Sequence, residues 1–106
     1  MANNFHSTKV HIGSSLTQVY APPTGAKSIL IGFLVSNVTT SDITINLAIT
    51  NSSGTFYIGK NLTVFSGTSL EVLSGKIVLD VGDALFVSAS SANAADAIVS
   101  ILDTVS

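Results

Sequence analysis

The sequence predicts an all-β fold: a single antiparallel β-sandwich, jelly-roll-like, of about eight or nine short strands. Asp42 to Thr50 carries the strongest signal. Ile43, Ile45, Leu47 and Ile49 alternate with Thr44, Asn46, Ala48 and Thr50. A period of two puts one row on a core and the other toward water, whereas a helix would scatter the apolar residues around its circumference. Glycine-containing turns at Ser66-Gly67-Thr68, Ser74-Gly75 and Val81-Gly82-Asp83 separate short apolar runs, as in sandwiches and jelly rolls. The chain is also rich in β-formers and in Ser, Thr and Asn. Its charged fraction of 9% lies far below the typical ~25%.

The elements follow in order. Residues 1–5 read as a flexible polar arm, and residues 6–106 as one sandwich domain. His6 to Ile12 alternates weakly and Gly13-Ser14-Ser15 turns the chain. Leu16 to Ala21 is the next strand, ended by Pro22-Pro23-Thr24-Gly25, because proline gives no ladder donor and glycine accepts positive φ. Lys27 to Ser36 reads as a central strand with Ile29, Ile31, Phe33 and Val35 on one face, and Leu30 and Leu34 on the other. A strand apolar on both faces is covered on both. Asn51-Ser52-Ser53-Gly54 makes a hairpin into Thr55 to Gly59. Short strands follow at Leu62 to Phe65, Leu70 to Leu73, Ile77 to Asp80 and Leu85 to Ser88. Ala97 to Leu102 closes the chain as a strand favoured by Ile98, Val99 and Ile101, although alanines from Ala92 also permit a short helix.

Composition excludes several classes of function. The chain contains no Cys, Arg or Trp, so disulfides, thiolate metal sites and thiol catalysis are absent. The net charge is −2, and Lys9, Lys27, Lys60 and Lys76 are widely spaced. A nucleic-acid partner, which demands clustered cations, is not expected. Met1 to His6 is polar, so no secretory leader is expected there. Ile29 to Val35, the longest apolar run, is too short to cross a bilayer, and no membrane partner is expected. The sequons at Asn37, Asn51 and Asn61 are what chance gives a chain this rich in Asn, Ser and Thr.

No catalytic constellation emerges. His6 and His11 are five residues apart and point to opposite faces of a strand, so they do not share a metal. Glu71 is the only Glu and no His lies mid-chain, so a cupin metal site lacks its ligands. Asp42 and Asp83 fall in turns, where Asp accepts backbone hydrogen bonds. Asp80 and Asp83 supply too few oxygens for calcium. A serine triad lacks a well-placed base, and no glycine-rich phosphate loop is present. No cofactor is expected. Tyr20 and Tyr57 are candidate surface-binding residues, the stacking platforms of a lectin-like alternative, with Phe56 beside Tyr57 turned to the core.

The residues Met1-Ala2-Asn3-Asn4-Phe5, Val19-Tyr20-Ala21-Pro22-Pro23, Ile29-Leu30-Ile31-Gly32, the run from Ser69 to Leu79, Val81-Gly82-Asp83 and Ala95 to Leu102 together form a layout that resembles small virion proteins of tailed phages, especially those of cyanobacteria. The resemblance is a pattern of strands and turns covering most of the chain. It implies a non-enzymatic β-sandwich located in the virion, a capsid decoration or cement protein, or else a tail, neck or fibre attachment component. It implies other virion proteins as partners, major capsid or tail proteins, and a homo-oligomer such as a trimer. The doubly apolar strands nominate Leu30, Leu34, Val99 and Ile101 as subunit-interface residues, and a surface poor in charge strands no unpaired ion when it is covered.

Overall fold

The structure is a computed structural model that describes the backbone of residues 2–73 and 75–105, and the side chains of residues 4–73 and 75–103. Among the described residues there are nine strands and no helix: β1 (Ala2–Ile12), β2 (Thr17–Tyr20), β3 (Lys27–Asn37), β4 (Ile43–Asn51), β5 (Gly54–Val64), β6 (Ser69–Glu71), β7 (Ile77–Leu79), β8 (Ala84–Ala89) and β9 (Ala95–Val105). All pairings are antiparallel. One sheet runs β1-β9-β3-β6, with β7 also paired to β3, and the other runs β2-β8-β4-β5. β6 lies against residues 34–36 of β3 and β7 against residues 28–30, so the two act as one interrupted strand. With that strand counted once, eight strands exchange between the sheets in jelly-roll order.

The core lies between the sheets. β4 contributes Ile43, Ile45 and Leu47, all buried at the predicted spacing. Its neighbour in the same sheet, β8, supplies Leu85, Val87 and Ala89, and β9 of the facing sheet supplies Ala95, Ala97, Val99 and Ile101. β9 buries alternate residues without a break, so the terminal segment is a strand and not a helix.

β3 departs from the simple alternation. Its register with β9 shifts between Leu30 and Gly32, a β-bulge with Ile31 as the extra residue. Before the bulge Ser28 and Leu30 point inward. After it Phe33, Val35 and Asn37 do, while Ile31 is exposed. A bulge reverses the parity of the face beyond it. The two-faced apolar strand read from the sequence is therefore two half-strands of opposite phase. Ile29 and Ile31 do not share the inward face of Phe33 and Val35.

Two other boundaries also differ. The expected polar arm is strand from Ala2 onward, because Ala2 to Phe5 continue the β9 register opposite Val105 to Leu102; Met1 lies outside the described residues. The strands expected at Thr55–Gly59 and Leu62–Phe65 are one strand, β5, with register shifts opposite Ile45–Leu47 and Leu47–Ala48. Asn61 takes φ 55 there, and its N–H donates to the Asn46 side chain at 2.9 Å. Such irregularities on an edge strand blunt its pairing capacity. The turn expected at Ser74-Gly75 includes Ser74, which lies outside the described residues.

Both aspartates accept backbone hydrogen bonds, Asp83 within its own turn and Asp42 from a residue distant in sequence. The Asp42 carboxylate accepts the Ser66 N–H at 2.9 Å. Asp83 accepts the Asp80 N–H at 2.9 Å and the Asn51 amide at 2.9 Å.

Candidate functional site

Two features stand out, one buried and one exposed. The buried one is a polar cluster at one end of the sandwich. Asp103 continues the inward row of Val99 and Ile101, and is 4% exposed. Its carboxylate accepts the Tyr20 hydroxyl at 2.6 and 2.7 Å, the Ser28 hydroxyl and His6 Nε2 at 2.7 Å. An ionised carboxylate only accepts, so Nε2 carries the proton. Ser28, His6 and Asp103 belong to β3, β1 and β9 of one sheet, whereas Tyr20 belongs to β2 of the other. The cluster therefore clamps the edge strand β2 across the sandwich.

Burial alone pushes the Asp103 carboxyl up. The hydrogen bonds from Ser28, Tyr20 and His6, with the His6 charge, outweigh burial and hold it below its ordinary value. The Tyr20 hydroxyl is pushed up to about 12, first by burial and then by its bond to Asp103 and the charge there.

A Ser, a His and an Asp meet in this cluster, but not as a catalytic relay. Nucleophilic activation requires the serine to donate to the histidine. Here Ser28 and His6 both donate to Asp103, and Ser28 is fully buried. Composition hid this cluster, but strand phase points to it. Asp103 lies two residues beyond Ile101, and Ser28 two before Leu30, both on inward rows.

The predicted functional residues separate. Leu30, Val99 and Ile101, expected at a subunit interface, are 0% exposed. They fill the chain's own core, because the bulge and the phase of β9 turn them inward. Leu34 alone of the four lies on the outer face, half-buried. Tyr20 is committed to Asp103. Tyr57 is exposed on the outer face of the second sheet, with Lys60 Nζ 4.9 Å from its ring centroid. β2 and β5 are opposite edges of that sheet, so the two tyrosines do not form one stacking platform. Phe56, expected in the core, is exposed as well. His6 faces inward and His11 outward, as the odd spacing requires. His11 Nδ1 is 2.6 Å from Asp96, its direct neighbour on β9.

The exposed feature is the outer face of the β1-β9-β3 sheet. Its registers align four apolar residues straight across the strands: Phe5 opposite Leu102, Leu102 opposite Ile29, and Ile29 opposite Val78. Phe5 is 71% and Val78 53% exposed. Further along the strands a second row reads Lys9, Ile98, Leu34, Glu71, and a third His11, Asp96, Ser36, Ser69. The face grades from apolar to polar along its strands. Where the edge strand is interrupted, Glu71 accepts the Phe33 N–H at 2.7 Å, and the Val72 N–H donates to the Phe33 carbonyl at 2.9 Å. Both backbone groups of Phe33, just beyond the bulge, are thereby satisfied without a regular partner strand.

The jelly-roll order defines the class of protein by architecture. No protein-family model matches the sequence, and no curated protein matches it. Among solved structures, the chain is similar to a chain of Bacillus endospore appendages, described as a novel family of disulfide-linked pili. The TM-score is 0.56 and the identity 14%, over 96% of this chain and 84% of that one. It is also similar to a chain of the T13 IBDV viral particle, with TM-score 0.58 and identity 11%, over 97% of this chain and 31% of the other. A chain of infectious bursal disease virus, Gx strain, gives TM-score 0.53 and identity 14%, over 95% and 29%. The chain thus spans about a third of the two viral chains. At these identities the likeness establishes a shared fold.

Proposed function

We propose that this chain is a non-enzymatic structural subunit of a viral particle, in a tailed phage a capsid decoration or cement protein that coats or stabilises the head. The row Phe5–Leu102–Ile29–Val78 carries the reading. A folded domain has no internal need for an apolar stripe on its solvent side, and such patches mark contact surfaces. The solved structures of similar fold come from assemblies, a viral particle and a pilus. With no cysteine, this sequence forms no disulfides, unlike the disulfide-linked pili.

Mass spectrometry of purified particles tests the assignment. The chain is expected at fixed stoichiometry in head fractions, and particles without it are expected to release their genome at lower temperature. Recovery in tail or fibre fractions would move it to an attachment role. Absence from every particle fraction would remove the virion assignment.

A further inference from the structure

The outer face of the β1-β9-β3 sheet is complementary to itself, and we propose that it binds a second copy of this chain, face to face, about a two-fold axis running along the strands between β9 and β3. The pairing rests on the reading of this face as an assembly surface, and it names the neighbour.

A two-fold rotation about that axis keeps each cross-strand row at its own level and reverses its order. β1 then lies over the partner's β6–β7 edge, and β9 over the partner's β3. In the apolar row, Phe5 meets the partner's Val78 and Leu102 meets the partner's Ile29, so apolar covers apolar. In the second row, Ile98 meets the partner's Leu34, while Lys9 at one margin meets the partner's Glu71 at the other. In the third, His11 and Asp96, already paired at 2.6 Å, meet the partner's serines. Symmetry makes each contact twice. An isologous interface requires that kind of self-complementarity, and it closes at two copies. A two-fold axis across the strands instead stacks the Phe5 end on the polar His11 end and leaves the apolar row against charge. The serine and glycine level, Ser7–Ser100–Gly32, lies between the apolar and charged rows and permits close approach.

The area sets the strength. Four strands about 4.8 Å apart, over seven residues at about 3.4 Å, give a face of roughly 400–450 Å² per copy. A standard interface buries ~800 Å² per partner. Free copies therefore associate weakly, at roughly 10 µM to 1 mM, and tethering on a particle raises the effective concentration enough to fill the contact.

Zero-length carbodiimide crosslinking followed by peptide mass spectrometry tests the geometry. Lys9 and Glu71 lie on strands three positions apart in the sheet, about 14 Å between backbones, so an amide between them joins two copies. Mixed light and heavy-isotope chains are expected to give a mixed-isotope Lys9–Glu71 peptide. In sedimentation velocity over a concentration series, Lys9→Glu and Glu71→Lys are each expected to weaken self-association at least about tenfold. An equimolar mixture of the two is expected to regain association, because a mixed pair keeps the Lys9–Glu71 contact at one margin and carries its charge-reversed form at the other. Phe5→Asp, which leaves the Phe33 N–H acceptor in place, is expected to abolish association with an unchanged circular dichroism spectrum.

A wild-type chain that stays monomeric to about 1 mM, or reversal variants that associate as wild type does, overturns the pairing. So does a Lys9 crosslink found only to a protein of another sequence. The particle mass spectrometry reads independently of these results, so the virion assignment and the two-fold contact fail separately.

Discussion

The Tyr20 hydroxyl lies 2.6 and 2.7 Å from the two carboxylate oxygens of Asp103, 83 residues away and in the opposite sheet. Tyr20→Phe keeps the ring and deletes the donor. Leaving a buried carboxylate short of a partner costs about 1–3 kcal/mol, or roughly 4–20 °C in Tm for a domain of this size. Tyr57→Phe, at an exposed ring, is expected to leave Tm unchanged. Thermal melts of the two variants side by side check the difference, and equal melting points would sink the clamp.

The same cluster sets the pH limits of stability. The folded value of Asp103 lies below its ordinary 3.8, so its contribution is complete above that pH and drains as the pH falls through the folded value. Tyr20 runs the other way. Its folded value is about 12 against 10.0, so its contribution is complete below about pH 10 and is lost as the pH rises toward 12. The stability gap between wild type and Asp103→Asn, from urea titrations, is expected to narrow below about pH 3.8. In a Tyr57→Phe background the phenolate absorbance is expected to rise near about pH 12; a midpoint near 10 would contradict the buried hydroxyl.

The bulge in β3 assigns different fates to neighbouring leucines. Leu30→Asp and Ile45→Asp place a carboxylate in the core at a cost of several kcal/mol, comparable with a whole domain's stability of ~5–15 kcal/mol. Both are expected to lose cooperative unfolding. Leu34→Asp, on the outer face, is expected to keep the wild-type circular dichroism spectrum. An unfolded Leu34→Asp would return that position to the intramolecular core.

Gly54, at the mouth of the β4–β5 hairpin, has φ 136, a region almost closed to residues with a Cβ. Gly54→Ala is expected to cost about 1–3 kcal/mol. Gly75 has open space around its Cα and no such φ, so Gly75→Ala is expected to be neutral. Denaturant midpoints distinguish the two.

Strand β4 was readable because no residue is inserted in it: Ile43, Ile45 and Leu47 are buried in phase, and the departure comes only at its end, where Ala48, expected toward water, is buried and Ile49 is partly exposed. β3 was not, because periodicity carries no mark for an inserted residue. Gly32, adjoining the bulge, was the one local sign, since glycine inside a strand often accompanies such irregularity. The strand at Ala2–Phe5 escaped for a different reason. Its hold on β9 is backbone pairing, which leaves little trace in side-chain pattern. The cluster around Asp103 joins residues from four strands, and only phase counting along β9 and β3 points to it. The exposed row was invisible until register was known, because Phe5, Ile29, Val78 and Leu102 are brought abreast by three separate pairings.

The interruption between β6 and β7 also restricts how the molecule can propagate. With the Glu71 carboxylate occupying the Phe33 N–H and Val72 the Phe33 carbonyl, the middle of that sheet margin offers an incoming strand no free backbone groups at Phe33. Sideways sheet extension, the route to fibrils, meets a stop there, and the kinks of β5 place another on the second sheet. An incoming strand therefore finds no continuous partner along the β6–β7 margin and only a kinked one along β5.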